Sequence, residues 1–428
     1  MPLVVANSAQ AIIAVSTAPT SHISCSAGVC TPTASFANFN ITDLENDLNS
    51  SDITVLAKHG SDTEIIQVNA ALTWTSSHIL TLQASQYVAI NAPLFVAGAG
   101  SLTLGYGSNF FGPKGHISFR YLSDKLVIQG RLYRLVRDIA GLQADLNVDP
   151  YGWYALARNY DASADGTYTR SPIDVFQGTL EGLGNKISNL TISSDSANYC
   201  CQLGFFGQIA SGGTVQNLVL KDVHVAYTTT SGGAVGMLAG ENQGDVEGCY
   251  ANGSLHVTPV TGQSSYPLTA VGGLVGLNDA AVKNSEASVT VRSNVRDAYI
   301  GGLVGEDMGV VEDTFATGSV TGGTASIVGG LIGLQGNSNG GLVATSYSSG
   351  AVSGPGSATV GGLVGYRVSL VLSSYWDITT SGTTQSAGGT GLTNAQLQSG
   401  LPSGFSPTTW TQNAAAYNGL PYLRYVPR

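Results

Sequence analysis

From Ile53 onward the chain alternates apolar and polar residues in short runs, among them "ITVLAKHG", "EIIQVNAALTWT" and "HISFRYL", punctuated by Gly, Asn or Pro. Period-two alternation puts successive side chains on opposite faces of an extended backbone, so these runs predict strands. No helical pattern separates them, which excludes βαβ units and leaves a sandwich, a barrel or a solenoid. Helical spacing occurs at Ile41, Leu44 and Leu48, with Thr42 as candidate N-cap, and again at Leu135, Ile139, Leu142 and Leu146.

From about Leu203 one phrase recurs. "VGGLVGLN" (Val271 to Asn278) has close copies at Ile300 to Asp307, Val328 to Gln335 and Val360 to Arg367. Looser copies stand at Val235 to Asn242 and Gln202 to Ile209. The central residues are Phe205, Leu238, Leu274, Leu303, Leu331 and Leu363, at steps of 33, 36, 29, 28 and 32 residues. Each copy is followed by a second strand-like phrase, such as "TVQNLVLKDVHV" or "AVKNSEASVTV". Two strand signals per unit of about 30 residues predict a stacked solenoid. Strict alternation through the phrase places the leucine on the inner face beside two glycines, with the flanking valines facing the other way. Six coils at ~4.8 Å would extend ~25–30 Å.

Composition supports sheets. Glycine reaches 56 of 428 residues, and charged residues only 10% against a usual figure of about 25%. An apolar fraction of 43% is too high for intrinsic disorder. The net charge of −10, with basic residues as scattered as Arg131, Arg134 and Arg137, excludes a positive patch for nucleic acid or anionic lipid. No apolar run approaches the ~20 residues of a membrane-spanning helix. The first basic residue is Lys58, so the chain is expected to be a piece of a longer secreted protein. Cys25, Cys30, Cys200, Cys201 and Cys249 lack zinc-ligand spacing and are expected as free thiols, although Cys25 and Cys30 are close enough to pair.

The repeated phrase resembles the GLUG motif of large bacterial surface proteins, including haemagglutinin-type adhesins and some immunoglobulin A peptidases. "LTWTSSHILTLQASQYVAINAPLFVAGAGSLTLG" resembles the β-helical rod of filamentous haemagglutinins exported by two-partner secretion. The stretch from "YWDITTSG" to "YNGLPYLRY" resembles the tail that follows GLUG arrays. The resemblance implies an all-β, right-handed parallel β-helix with GLUG repeats and a small C-terminal cap containing a short helix. The expected division is a poorly ordered lead-in over 1–35, a haemagglutinin-like rod over 36–130 and a transition segment over 131–193. The GLUG array then occupies 194–378 and the cap 379–428.

Candidate chemistry is sparse. "GNSNG" around Ser338 has the G-x-S-x-G form, but a strand phrase follows it and all six histidines, from His22 to His256, precede it. No histidine precedes a glutamate, so the H-E-x-x-H of a metallopeptidase is missing. Asp145, Asn147 and Asp149 open like a calcium loop, but Pro150 and Leu156 stand at the positions of its glycine and bidentate glutamate. Asp161, Asp165 and Gly166 could form an ion-holding turn. The pairs Asp245/Glu247, Glu306/Asp307 and Glu312/Asp313 read as solvated turn residues, with stacking across coils as the alternative. Trp74, Trp153, Trp376 and Trp410, with Tyr151, Tyr154, Tyr160 and Tyr168, suit a capped rod end or stacking on sugar. No catalytic, cofactor or metal residue is assigned, and ligand-binding residues stay unassigned. The expected function is a non-enzymatic adhesin segment, extracellular or on the cell surface. Its expected partners are a host or bacterial surface glycan or protein and an outer-membrane transporter for export, with no nucleic acid and no membrane span. The alternatives are a β-helical lyase or hydrolase acting on polysaccharide, and a ligand-free spacer.

Overall fold

The computed structural model describes residues 10–58, 63–195, 201–230, 232–260, 269–336 and 341–428. Its strands stack coil on coil in parallel register, which makes the chain a parallel β-helix. In the first half a coil has three sides, exemplified by Ile79–Gln83, Tyr87–Ile90 and Leu94–Val96 before Ser101–Leu104 returns onto the first. In the second half a coil has four, exemplified by Thr269–Gly272, Val275–Asn278, Ala281–Lys283 and Glu286–Ser293.

One 15-stranded sheet runs through both halves, and its course changes at a hairpin. Strand Lys125–Ile128 pairs with Arg131–Val136 antiparallel, and every later pair along that sheet is parallel. The core changes side at the same place. Tyr133, Leu135 and Ala155 bury themselves in the first core, while Val136, Tyr154 and Leu156 on the opposite face belong to the second. Reversing both strand direction and core side amounts to a half-turn about the rod axis. The two solenoids therefore share a sheet but fill opposite sides of it.

The structure corrects the reading of the phrase itself. Gly273 and Leu274 form a bend between two short strands on different sheets. Alternation is thus interrupted in mid-phrase, and Val271, Leu274 and Val275 all turn inward and are fully buried. Like stacks on like: Val271 lies on Ile300, and Val275 on Val304. Leu274 N donates to Leu303 O at 2.9 Å. The glycines are there for closeness. A Cβ on Gly272 would lie 1.8 Å from the Val275 carbonyl oxygen, and one on Gly276 would lie 2.4 Å from Val235 N. The bend admits no side chain at either place.

The first strand of the second phrase ends at a corner that needs left-handed backbone. Asn217, Asn284 and Asp313 have φ of 54°, 46° and 50° there, and Gly248 has 64°. Asn, Asp and Gly enter that region most readily, although Thr345 and Ser373 hold the same corner in the last two coils with φ of 45° and 44°.

Several expectations fail locally. Residues 10–35 are not a loose lead-in: Gln10–Ser16 pairs with two strands, and Ile23–Ser26 forms a hairpin with Val29–Pro32. Asn40, not Thr42, caps α1 (Ile41–Leu48), its side chain accepting from Thr42 N and Asp43 N. Asp138 caps α2 (Ile139–Leu146), and Leu135 lies in the preceding strand. Cys25 and Cys30 are joined by a disulfide across the hairpin, and Cys201 is also disulfide-bonded. Cys249 is the one expected thiol that stays free and buried among the described residues. The tail contains the short helix α3 (Asn394–Gln398), whose Thr393 and Gln396 form a capping box.

Candidate functional site

The tail doubles back along the flank of the rod. Facing outward on the 13-stranded sheet, Tyr250, Glu286, Phe315, Tyr347 and Tyr375 follow one another in register. Phe405, Trp410, Leu423 and Val426 of the tail cover Phe315 and Tyr347 in a separate apolar cluster. Trp410 Nε1 donates to Asp313 Oδ1 at 2.9 Å. Fully buried Glu286 accepts from Tyr417 Oη at 2.8 and 2.9 Å and from Arg428 Nε at 3.0 Å. Burial raises the Glu286 pKa, while Arg428 and the Tyr417 hydrogen bond hold it down. The strap then reaches the first solenoid, where Tyr425 stacks on Phe110 with centroids 5.1 Å apart.

Where first solenoid, second solenoid and strap meet, they enclose a cleft of about 700 Å³. Its first wall carries Gln86, Tyr87, Asn109 and Phe110. The second is the outer face of the shared sheet, free here because the core has changed sides; it carries Glu181, Gln216 and Glu247 in register on successive strands. Arg424 and Tyr425 of the strap form the third.

Each of these carboxylates has an amide partner from the left-handed corner of a neighbouring coil. Asn217 Nδ2 donates to Glu181 at 3.0 and 3.1 Å, and Leu183 N adds a bond at 2.8 Å. Asn284 Nδ2 donates to Glu247 Oε1 at 3.2 Å. Burial pushes the Glu181 pKa up to about 8, against the opposing pull of Leu183 and Asn217. Asn109 Oδ1 is buried without a partner among the described residues.

The residues singled out in sequence scatter. Asp145 is bonded to Arg134 at 2.9 Å, and Asp149 Oδ1 accepts from Tyr151 N. Asp161 caps a short 3-10 helix, and Asp165 accepts from Tyr160 and Tyr168. Among the described residues no three His, Cys, Asp or Glu side chains are grouped to hold a metal. Trp74, Trp376 and Trp410 are buried, while Trp153 lines the cleft with Arg131 over its ring. Ser338 and most of "TPVTGQSSYPLTA" lie outside the described residues. The acidic pairs are not simply solvated. Glu312 meets Lys283 across coils at 3.2 Å, Asp307 is fully buried, and Glu247 faces the cleft. Sequence reading missed Glu181, Asn217, Tyr87, Phe110 and Tyr425 as a group. Aligning the second phrases as a column would have found Glu181, Gln216, Glu247, Lys283 and Glu312 in line. Nothing local marks Tyr425.

The GLUG motif is matched over residues 268–292. Over 200 residues the chain is 33% identical to Halomucin of Haloquadratum walsbyi (strain DSM 16790 / HBSQ001). That stretch covers 44% of this chain and 2% of Halomucin, so the chain spans a small piece of the curated relative it matches. No solved structure matches.

Proposed function

We propose that the chain is an attachment segment of the adhesin type, a stiff rod that holds binding surfaces away from its point of anchorage. The GLUG motif and the similarity to Halomucin support a surface or secreted protein with a structural role. The observation that carries the reading is the coil-on-coil register, in which Val275, Val304, Ile332 and Val364 follow one another without a break. Such a column resists bending because each coil is hydrogen-bonded to the next through the strands on its sides, and stiffness is what presentation requires.

A polysaccharide-acting enzyme is the second reading, favoured by Glu181 and Glu247 in one cleft with Arg424. Glycoside hydrolysis needs a protonated acid opposite an ionised carboxylate, and burial keeps Glu181 protonated to about pH 8. Against this, both Glu181 oxygens already accept hydrogen bonds from Asn217. The two readings part in one experiment: the purified chain, coated on beads, is tested for attachment to cells, matrix and a glycan array, beside a reducing-sugar release assay. Attachment without release is the expected result. Release abolished by Glu181→Gln would overturn the reading, and silence in both assays would leave a spacer.

A further inference from the structure

We propose that the cleft between the two solenoids and the strap binds an uncharged oligosaccharide, with sugar rings against the Tyr87–Phe110–Tyr425 aromatic cluster and hydroxyls on the Glu–Asn pairs of the shared sheet. The inference rests on the attachment reading and names the ligand class for one site within it.

Size comes first. A volume of about 700 Å³ falls within the range of roughly 300–1,000 Å³ typical of pockets for small ligands. It suits a few linked rings and is too small for a folded partner.

Chemistry narrows the class. A pyranose offers flat C–H faces and a rim of hydroxyls, each both donor and acceptor. The apolar side of the cleft is aromatic: Tyr87 meets Phe110 edge-on at 5.5 Å, and Phe110 stacks on Tyr425. The polar side is rich in amides, which also donate and accept, and carries carboxyl groups, which accept. Glu181 and Glu247 are two rungs apart, a backbone spacing of ~10 Å, and each is oriented by an amide. Holding those side chains before the ligand arrives lowers the ordering cost of binding. Among the described residues Asn109 Oδ1, at the cleft wall, has no partner, which leaves it free to accept from a ligand hydroxyl.

Charge then separates neutral from anionic sugars. Among the described residues that line the cleft Arg424 is the only cation, and its Nε already donates to Pro407 O at 2.7 Å. A carboxylated or sulfated sugar would find only Arg424, which already shares the cleft with Glu247, so neutral sugars are favoured.

The test uses the full chain against a panel of neutral, sialylated and sulfated oligosaccharides, with dissociation constants measured for the hits. Neutral oligosaccharides are expected to bind. Glu247→Gln and Tyr87→Ala are expected to weaken them at least tenfold, while Tyr366→Ala, on an exposed residue outside the cleft, leaves them unchanged. Thermal melts run alongside show that the variants are folded, and Asn284→Ala serves in place of Tyr87→Ala if that variant is not. Binding confined to sulfated or sialylated sugars overturns the proposal, as does a neutral hit indifferent to the cleft variants. If the chain still attaches to cells while no oligosaccharide binds, this inference fails and the attachment reading stands. If the chain attaches to nothing, the reading beneath it fails.

Discussion

The two solenoids keep themselves together by different means. In the first, the described interior is almost wholly hydrocarbon, with Phe39, Trp74, Phe111 and Phe119 among the largest buried side chains; only Asn38 and Asp124 are buried polar residues there. The second threads lines of polar groups through its core. Asn242 Nδ2 donates to Asn278 Oδ1 and Asn278 Nδ2 to Asp307 Oδ1, both at 2.8 Å. A hydroxyl line runs beside it, with Cys249 N on Ser285 Oγ, Thr314 N on Ser346 Oγ and Ser346 N on Ser374 Oγ, each at 3.1 Å. The difference follows from repetition. A repeated phrase guarantees that the residue above and below is of the same kind, so a buried polar side chain finds its partner in the next coil. An unrepeated coil has no such guarantee, and hydrocarbon is the safe filling.

The ladder is imperfect at one rung, and breaking or mending it has the largest expected effect. Among the described residues Asp307 Oδ2 and Gln335 Oε1, on neighbouring coils, are both buried and without a partner. Burial raises the Asp307 pKa from its ordinary 3.8 to about 7, although the Asn278 and Gly309 bonds oppose the rise. Because the folded chain holds this proton more tightly than the unfolded one, stability is complete below about pH 4, falls as pH rises to about 7 and then levels off. That loss amounts to up to about 4 kcal/mol at pH 8. Asp307→Asn keeps the acceptor and places a donor toward Gln335. Relative to the native chain it should gain little at pH 4 and a few kcal/mol at pH 8, read from denaturant midpoints at the two pH values. A gain independent of pH would show that charge is not the fault at this rung.

Next in size is a glycine comparison across the halves. A Cβ at Gly305 would lie 2.4 Å from Val271 N and 2.7 Å from Gly276 O, both backbone atoms. At Gly105, in the first solenoid, the nearest atoms are Gln83 Cα and Cγ at 3.1 Å. Gly305→Ala should cost about 3 kcal/mol and Gly105→Ala about 1 kcal/mol, since overpacking penalties grow with how little the neighbour can yield. Thermal melts of the two variants check the order; equal losses would remove the distinction. The strap joins the halves, and Arg428→Gln leaves buried Glu286 without its cation. The loss should be about 2 kcal/mol at pH 8 and smaller at pH 4, where Glu286 can take up a proton. Faster proteolysis of the tail would accompany it.

How much of this was legible in sequence depended on whether the information was local. Period two in "HILTLQ" and the six spaced phrases announce a β-solenoid because each coil repeats the same short-range instruction. The bend at Gly273 and Leu274 was missed because period-two reasoning assumes an unbroken strand. The cleft was beyond reach for a different reason. Tyr87, Glu181 and Tyr425 meet only because the core changes sides at Arg131–Val136 and the tail returns along the rod. Neither event has a local signature, and the Glu–Asn pairs emerge only when neighbouring coils are laid side by side.

The smallest effect sharpens the comparison most. Glycine abundance and glycine position are different hypotheses about why the second solenoid is glycine-rich, and Gly356 separates them. It lies within the array but outside the phrase, in a turn, with nothing within 4 Å of a built Cβ and without a positive φ. Gly356→Ala therefore meets no clash, and it restricts the unfolded chain. The expected change is a stabilisation of about 0.5 kcal/mol, opposite in sign to Gly305→Ala. Opposite signs in paired melts would mean that the array needs glycine only where two backbones touch, and that elsewhere its glycines are replaceable. Losses at both positions would mean instead that the coils depend on backbone freedom throughout, and the tight bend would no longer be what sets the phrase apart.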